Sequence, residues 1–278
     1  MENCMKAMLL IFAWTLLAAY PTDGQVGSGT IVVFELAKDK FVIAADSRAV
    51  FSDRPPDDTH CKIAAFKSHG VIFAVTTATR YPNRGSTDFM PSWNATNEAR
   101  SAVVAEGLME PTGATDAVNK IASHWERSML ERWTQMMLYH PEDVRYVASV
   151  NEGHLTHGIF AAARNKSIAI ALTSIVFAQG RLTIERPPVE CPIGAICATG
   201  KLEVFNKYIG SAKEFMTADP ATTESWGYDL LRVMRLVDLT IAEDQSGSVH
   251  GPVDAVELMN DGTIRWRQKK DNCPDSQD

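Results

Sequence analysis

The chain has 278 residues, 45% of them apolar, a balance that excludes intrinsic disorder and suits one large single-core domain. Its formal net charge of −7 argues against nucleic acid as the main partner. Residues 1–20 carry a single basic side chain, Lys6, ahead of an apolar run from Ala7 to Ala19 that is short for a membrane span. That order, with the small pair Ala18-Ala19 before Tyr20-Pro21, predicts a secretory signal peptide, hence export to a periplasmic or extracellular space and no membrane attachment once it is removed. An uncleaved core helix is the competing reading. No later segment has the length and apolarity of a membrane helix.

Cys61, Cys191, Cys197 and Cys273 remain after the signal, an even number that suits an oxidising compartment. Three pairings are open, with Cys191 and Cys197 near enough in sequence to close a small loop, and four free thiols fit the count equally. Their wide spacing does not resemble a zinc site, and His154 with His157 lacks further ligands and reads as an exposed turn, so neither metal nor cofactor is expected. Asn94-Ala-Thr96 and Asn165-Lys-Ser167 fit the N-glycosylation pattern.

From Thr30 the sequence predicts two strands, TIVVFELA and FVIAADSR, around the polar turn Lys38-Asp39-Lys40, and a second pair, CKIAAFK and GVIFAVTTAT, around Ser68-His69-Gly70. Residues 81–96 are turn-rich and read as a surface loop. Two helices follow, separated by Pro111 and Gly113; Ala117, Ile121, Trp125, Met129 and Trp133 fall four apart and trace one core-facing stripe. Strands return in HGIFAAARN, SIAIALTSIVFAQ and RLTIERP, with Gln179-Gly180 at a turn, and then GAICATG. A second helical block spans FNKYIGSAKEFM and ESWGYDLLRVMRLVDLTIAED. The chain closes with PVDAVEL and TIRW around Asn260-Asp261-Gly262, and a polar tail over 267–278. Strands, helices, strands and helices in blocks predict helices layered on antiparallel sheets, not alternating βαβ units.

The segment GTIVVFELAKDKFVIAADSRA resembles the opening of a proteasome β-type subunit, in which a glycine precedes the catalytic threonine and ADSRA follows. Thr30 to Asp46 and Asp46 to Lys62 are each sixteen residues, the family's spacing of nucleophile, carboxylate and lysine. The resemblance implies an α+β, four-layer αββα N-terminal-nucleophile hydrolase sandwich with two antiparallel sheets over 30–266, preceded by a signal peptide (1–20) and a propeptide or linker (21–29). It implies autocleavage between Gly29 and Thr30. A threonine hydroxyl needs a base near neutral pH, and a freed α-amine with pKa near ~8 supplies one. Lys62 would lower the hydroxyl's pKa or relay its proton, and Asp46 would orient Lys62. Without the resemblance, Asp46 reads as a turn carboxylate and Lys62 as a strand-edge charge.

Ala198-Thr199-Gly200 resembles the family's Gly-Ser-Gly stretch, with Thr199 in the place of the ordering serine; a hairpin explains Thr199 and Gly200 equally. Asp244-Gln245-Ser246-Gly247 resembles its acid-then-Ser-Gly loop, one residue short unless Glu243 is the acid. Where the family has an oxyanion-stabilising glycine after the fourth strand, this chain has Thr76-Thr77, although a backbone donor survives substitution. Arg48 reads as a structural ion-pair partner. The implied activity is threonine-type cleavage of amide bonds in peptides or unfolded chains, in a homo-oligomeric ring. A non-catalytic scaffold subunit and an amide hydrolase for a small secreted substrate are the alternatives. No G-x-S-x-G elbow supports a serine triad.

Overall fold

The computed structural model describes residues 30–50, 55–82, 89–107, 113–208, 228–271 and 273. Residues 1–29, which the sequence reading assigns to a signal peptide and a propeptide or linker, lie outside them, as does the middle of the second helical block, 209–227. Strands β1 (Ile31–Leu36) and β2 (Lys40–Ala45) form the expected hairpin, and β3 (Ile63–Phe66) and β4 (Val71–Thr77) form the next, turning through a short 3-10 segment at Lys67–His69. The two pairs belong to different sheets. Strands β5 (Arg80–Tyr81) and β6 (Trp93–Asn94) make a small ribbon; β7 (His154–Arg164), β8 (Ser167–Ala178), β9 (Arg181–Glu185), β10 (Ile196–Gly200), β11 (Asp254–Met259) and β12 (Ile264–Gln268) complete the set. One antiparallel sheet runs β10-β1-β2-β11-β12, the other β3-β4-β7-β8-β9.

The helices are α1 (Ala95–Gly107), α2 (Ala114–Tyr139), α3 (Pro141–Val150), α4 (Leu202–Tyr208) and α5 (Tyr228–Glu243). Three apolar clusters separate four layers. Val32, Phe34, Phe41 and Ile43 of the first sheet meet Ile63, Ile72, Ile159 and Ala161 of the second. On the outer face of the second sheet, Phe73, Val75 and Phe160 pack against Trp125, Met129 and Trp133 of α2. On the outer face of the first, Ile31, Val33, Val42 and Ala44 pack against Leu230, Val233, Leu236 and Val237 of α5. Central strands are therefore mostly apolar because both of their faces are buried, with polar exceptions such as Glu35 and Glu257 themselves buried, while side chains still alternate between two different cores. The expected αββα sandwich with two antiparallel sheets is the observed architecture.

All five residues of the Ala117–Trp133 stripe are buried. Part of the segment read as a surface loop at 81–96 is instead structured: the β5–β6 ribbon lies within it, and Trp93 is buried edge-on against Trp133. Asn94 of the first glycosylation pattern accepts the Thr96 N–H at 2.8 Å, an N-cap at the start of α1. Helix α3 was not anticipated, although Pro141 at its first turn with Glu142 and Asp143 is a favourable helix start. The segment read as a polar tail is strand as far as Gln268 and is tied down at Cys273.

Candidate active site

Thr30 stands at the head of β1, 5% exposed. Its carbonyl oxygen accepts the Lys201 N–H at 2.9 Å, and β10 runs alongside with Gly200 opposite Ile31. Gly200 has φ +98°, and a Cβ there would come 1.8 Å from the Thr30 oxygen, so only glycine permits this approach. Beside Thr30 opens a cleft of about 880 Å³ whose walls include Thr77, Thr199, Gly200, Lys201 and Ser246. The sequence-predicted Thr30, Thr199, Gly200 and Ser246 thus share one concavity. Thr76 does not reach it: its side chain is fully buried in β4 and its Oγ1 has no hydrogen-bond partner among the described residues, while Thr77 takes the place on the wall. Thr77 has φ 68°, a left-handed conformation that is strained for a β-branched residue and natural for the glycine of the resembled family.

Asp46 directly follows β2 and Lys62 directly precedes β3, so their ion pair bridges the two sheets. Both side chains are wholly buried. The Lys62 ammonium donates to both Asp46 oxygens at 2.9 Å, and Asp46 also accepts the N–H groups of Ile31 at 3.0 Å and Arg48 at 3.1 Å. The bond to Ile31 links the pair to the residue next to Thr30. The readings of Asp46 as a turn carboxylate and of Lys62 as a strand-edge charge are therefore excluded. Burial pushes the Asp46 carboxyl up and the Lys62 ammonium down, each opposed by the partner's charge. A lysine shifted in that direction gives up its proton more readily.

Asp244, not Glu243, is the acid of the second loop. It accepts the Ser246 N–H at 3.1 Å, the Ser246 hydroxyl at 2.7 Å and the Val249 N–H at 2.6 Å, while Glu243 is engaged by Lys207 and Tyr208. Sequence reasoning missed Lys201, whose ammonium reaches Asp244 at 2.5 Å and Ser246 at 2.7 Å. Burial alone would raise the Asp244 carboxyl, but the Lys201, Ser246 and Val249 donors outweigh it and hold it below the usual carboxylate range. Arg48 is a structural partner as expected, bound to Asp58 at 2.6 and 2.8 Å and to the Gly247 carbonyl at 2.7 Å.

His154 and His157 are not an exposed turn. They line the cleft from β7 with ring centroids 4.4 Å apart, and the His157 Nδ1 is 2.6 Å from the Ser174 hydroxyl. A register shift in β7 between His154 and Thr156 puts residues three apart on the same side, which a regular strand would not do. Burial lowers the His157 pKa to about 4, so its ring is neutral near pH 7. Among the described residues no group of three or more His, Cys, Asp or Glu side chains is placed to hold a metal ion. The cysteines pair as Cys61–Cys273 and Cys191–Cys197.

No protein-family model matches the chain, and no curated protein matches it. Among solved structures it is similar to an Anbu (Gly-1) mutant from Hyphomicrobium sp. strain MC1, at 16% identity and TM-score 0.46 over 87% of this chain and 86% of that one. It is also similar to Anbu (ancestral beta-subunit) from Yersinia bercovieri, at 12% identity and TM-score 0.48 over 88% of this chain and 89% of that one.

Proposed function

We propose that the chain is an exported N-terminal-threonine hydrolase of proteasome β type that cleaves amide bonds in peptides or unfolded chains. The observation that carries this reading is the wholly buried Asp46–Lys62 pair, bonded through Asp46 to Ile31, beneath a threonine that faces an open cleft. Burying two charges is costly, and a pair used only for stability is replaceable by apolar residues of similar volume. Two disulfides fit an oxidising compartment.

In this reading the Thr30 hydroxyl first attacks the Gly29 carbonyl, the peptide shifts to an ester, and water releases the segment that ends at Gly29 and frees the α-amine. In each later turnover that amine takes the hydroxyl proton as the oxygen adds to a substrate carbonyl. Backbone donors near Thr77 would hold the oxyanion. The leaving amine takes the proton as the C–N bond breaks, and water then hydrolyses the acyl ester, returning its proton through the same amine. Lys62 keeps the hydroxyl poised for proton loss, and the Lys201–Asp244 pair holds Ser246 at the cleft wall.

The test is the N-terminus of the mature protein, by intact mass and terminal sequencing, with the Thr30→Ala variant alongside. A terminus at Thr30, with processing and peptide hydrolysis lost in the variant, supports the reading. An intact Gly29-Thr30 bond in the mature protein favours a non-catalytic scaffold. A small amide as substrate is a second reading, favoured by a cleft of about 880 Å³, within the range of ordinary small-molecule sites. Particle mass tests whether a homo-oligomeric ring forms.

A further inference from the structure

We propose that Lys270 and Cys273, which follow β12, are a working part of the site: Lys270 is a positioning residue for the Asp46–Lys62 pair, and the Cys61–Cys273 disulfide locks it in place. The inference builds on the function proposed above but makes its own structural demand.

Directly after β12 the chain turns inward. The Lys270 side chain is 8% exposed and its ammonium donates to the carboxylate of Asp254, which is wholly buried. The same ammonium lies 2.5 Å from the Ser47 hydroxyl, and the Lys270 N–H donates to the second Asp254 oxygen at 3.1 Å. Ser47 is the neighbour of Asp46, and Asp254 stands opposite Ala45, its other neighbour. Three residues further on, Cys273 is bonded to Cys61, the neighbour of Lys62. One short segment therefore grips the chain beside both members of the central pair.

A plain polar terminus would leave its lysine in water, because burying an ammonium costs several kcal/mol unless it is paired. Here the lysine is buried, paired, and held by a cross-link spanning 212 residues. The charged groups that face Lys62 are Asp46, Lys270, Asp254 and, if protonated, His60. Lys270 repels the Lys62 proton and Asp254 retains it, so the readiness of Lys62 to release a proton depends on the segment being seated. Cys61 is only half-buried, which gives a reductant access. Dithiothreitol would deliver two electrons and two protons, breaking the S–S bond into two thiols while it closes to its own cyclic disulfide.

The experiment uses the mature full-length protein with Cys191 and Cys197 both changed to Ser, so that one disulfide remains. Amide exchange at Ile31 and Arg48, whose N–H groups donate to Asp46, reports seating without any need for hydrolysis. Dithiothreitol, or Cys273→Ser, is expected to speed exchange at these two amides about tenfold and to lower kcat/KM for a peptide amide at least tenfold. Lys270→Met is expected to move the Lys62-dependent limb of the pH profile upward, and Lys270→Arg to restore it. Unchanged exchange on reduction, or a Lys270→Met profile coincident with wild type, overturns the proposal. If Lys270→Met fails to fold, the reduction and Cys273→Ser arms decide it. Absence of hydrolysis in the wild type would sink the proposed function alone, and exchange would still decide the seating.

Discussion

A Cβ on Gly200 would stand 1.8 Å from the carbonyl oxygen of Thr30, nearer than two unbonded heavy atoms can approach. The β10–β1 pairing and the Lys201 N–H both fix that oxygen, so neither side can yield cheaply. Gly200→Ala is expected to cost more than about 3 kcal/mol, or roughly 6–12 °C in melting temperature at this chain size. Thermal melting checks this, and a variant within a degree of wild type would refute the close approach.

Removing one member of the Asp46–Lys62 pair leaves the other as an uncompensated buried charge. Asp46→Asn is expected to destabilise by about 3–5 kcal/mol, and combining it with Lys62→Met to recover most of the loss. Denaturant titrations of the single and double variants give the coupling. Hydrolysis, in contrast, should be absent from both.

Thr77 pays for a left-handed backbone at the end of β4. Relief of that strain is worth about 1–3 kcal/mol, against about 0.5–1 kcal/mol for the added freedom of glycine in the unfolded chain. Thr77→Gly should therefore gain about 1 kcal/mol and melt a few degrees higher. A lower melting temperature would mean that the threonine methyl or hydroxyl makes up for the strain.

Burial depresses His157 to about 4 and His60 to about 3, both below the ordinary 6.5. Between those values and 6.5 the unfolded chain binds more protons than the folded one, so stability rises with pH. Their contribution is fully present above about pH 6.5 and is lost as pH falls toward 4 for His157 and 3 for His60. Replacing either by Gln should flatten the slope of unfolding free energy between about pH 4.5 and 6.5, on the order of one kcal/mol per pH unit for each histidine. An identical slope in variant and wild type would place the ring in water.

The residues around Thr30 were readable because adjacent antiparallel strands turn chain spacing into spatial position. Two separations of sixteen residues carry Asp46 to the end of β2 and Lys62 to the start of β3. Lys201 left no comparable signal: its partner Asp244 is forty-three residues away, and the contact depends on α5 packing over the first sheet. The short ribbon β5–β6 shows no period because each strand has only two residues. Helix α3 follows α2 after the single residue His140, and its start signal at Pro141 passed unread. Thr77 and not Thr76 reaches the cleft, and the left-handed backbone at Thr77 leaves no mark in composition. The Cys61–Cys273 and Cys191–Cys197 bonds together are one of three pairings that the count leaves open beside four free thiols.

The order of strands has a consequence for biosynthesis. The second sheet is drawn from one stretch of chain, residues 63–185, whereas the first joins β1 and β2 to β10, β11 and β12. The β1–β2 hairpin therefore keeps one edge unpaired until β10 is made and the other until β11 is made. Contacts of such long range are slow to form, and open strand edges invite association with other chains. Because Asp254 and Lys270 lie more than two hundred residues beyond Asp46 in the chain, the setting of Asp46 and Lys62 is completed only by contacts of very long range.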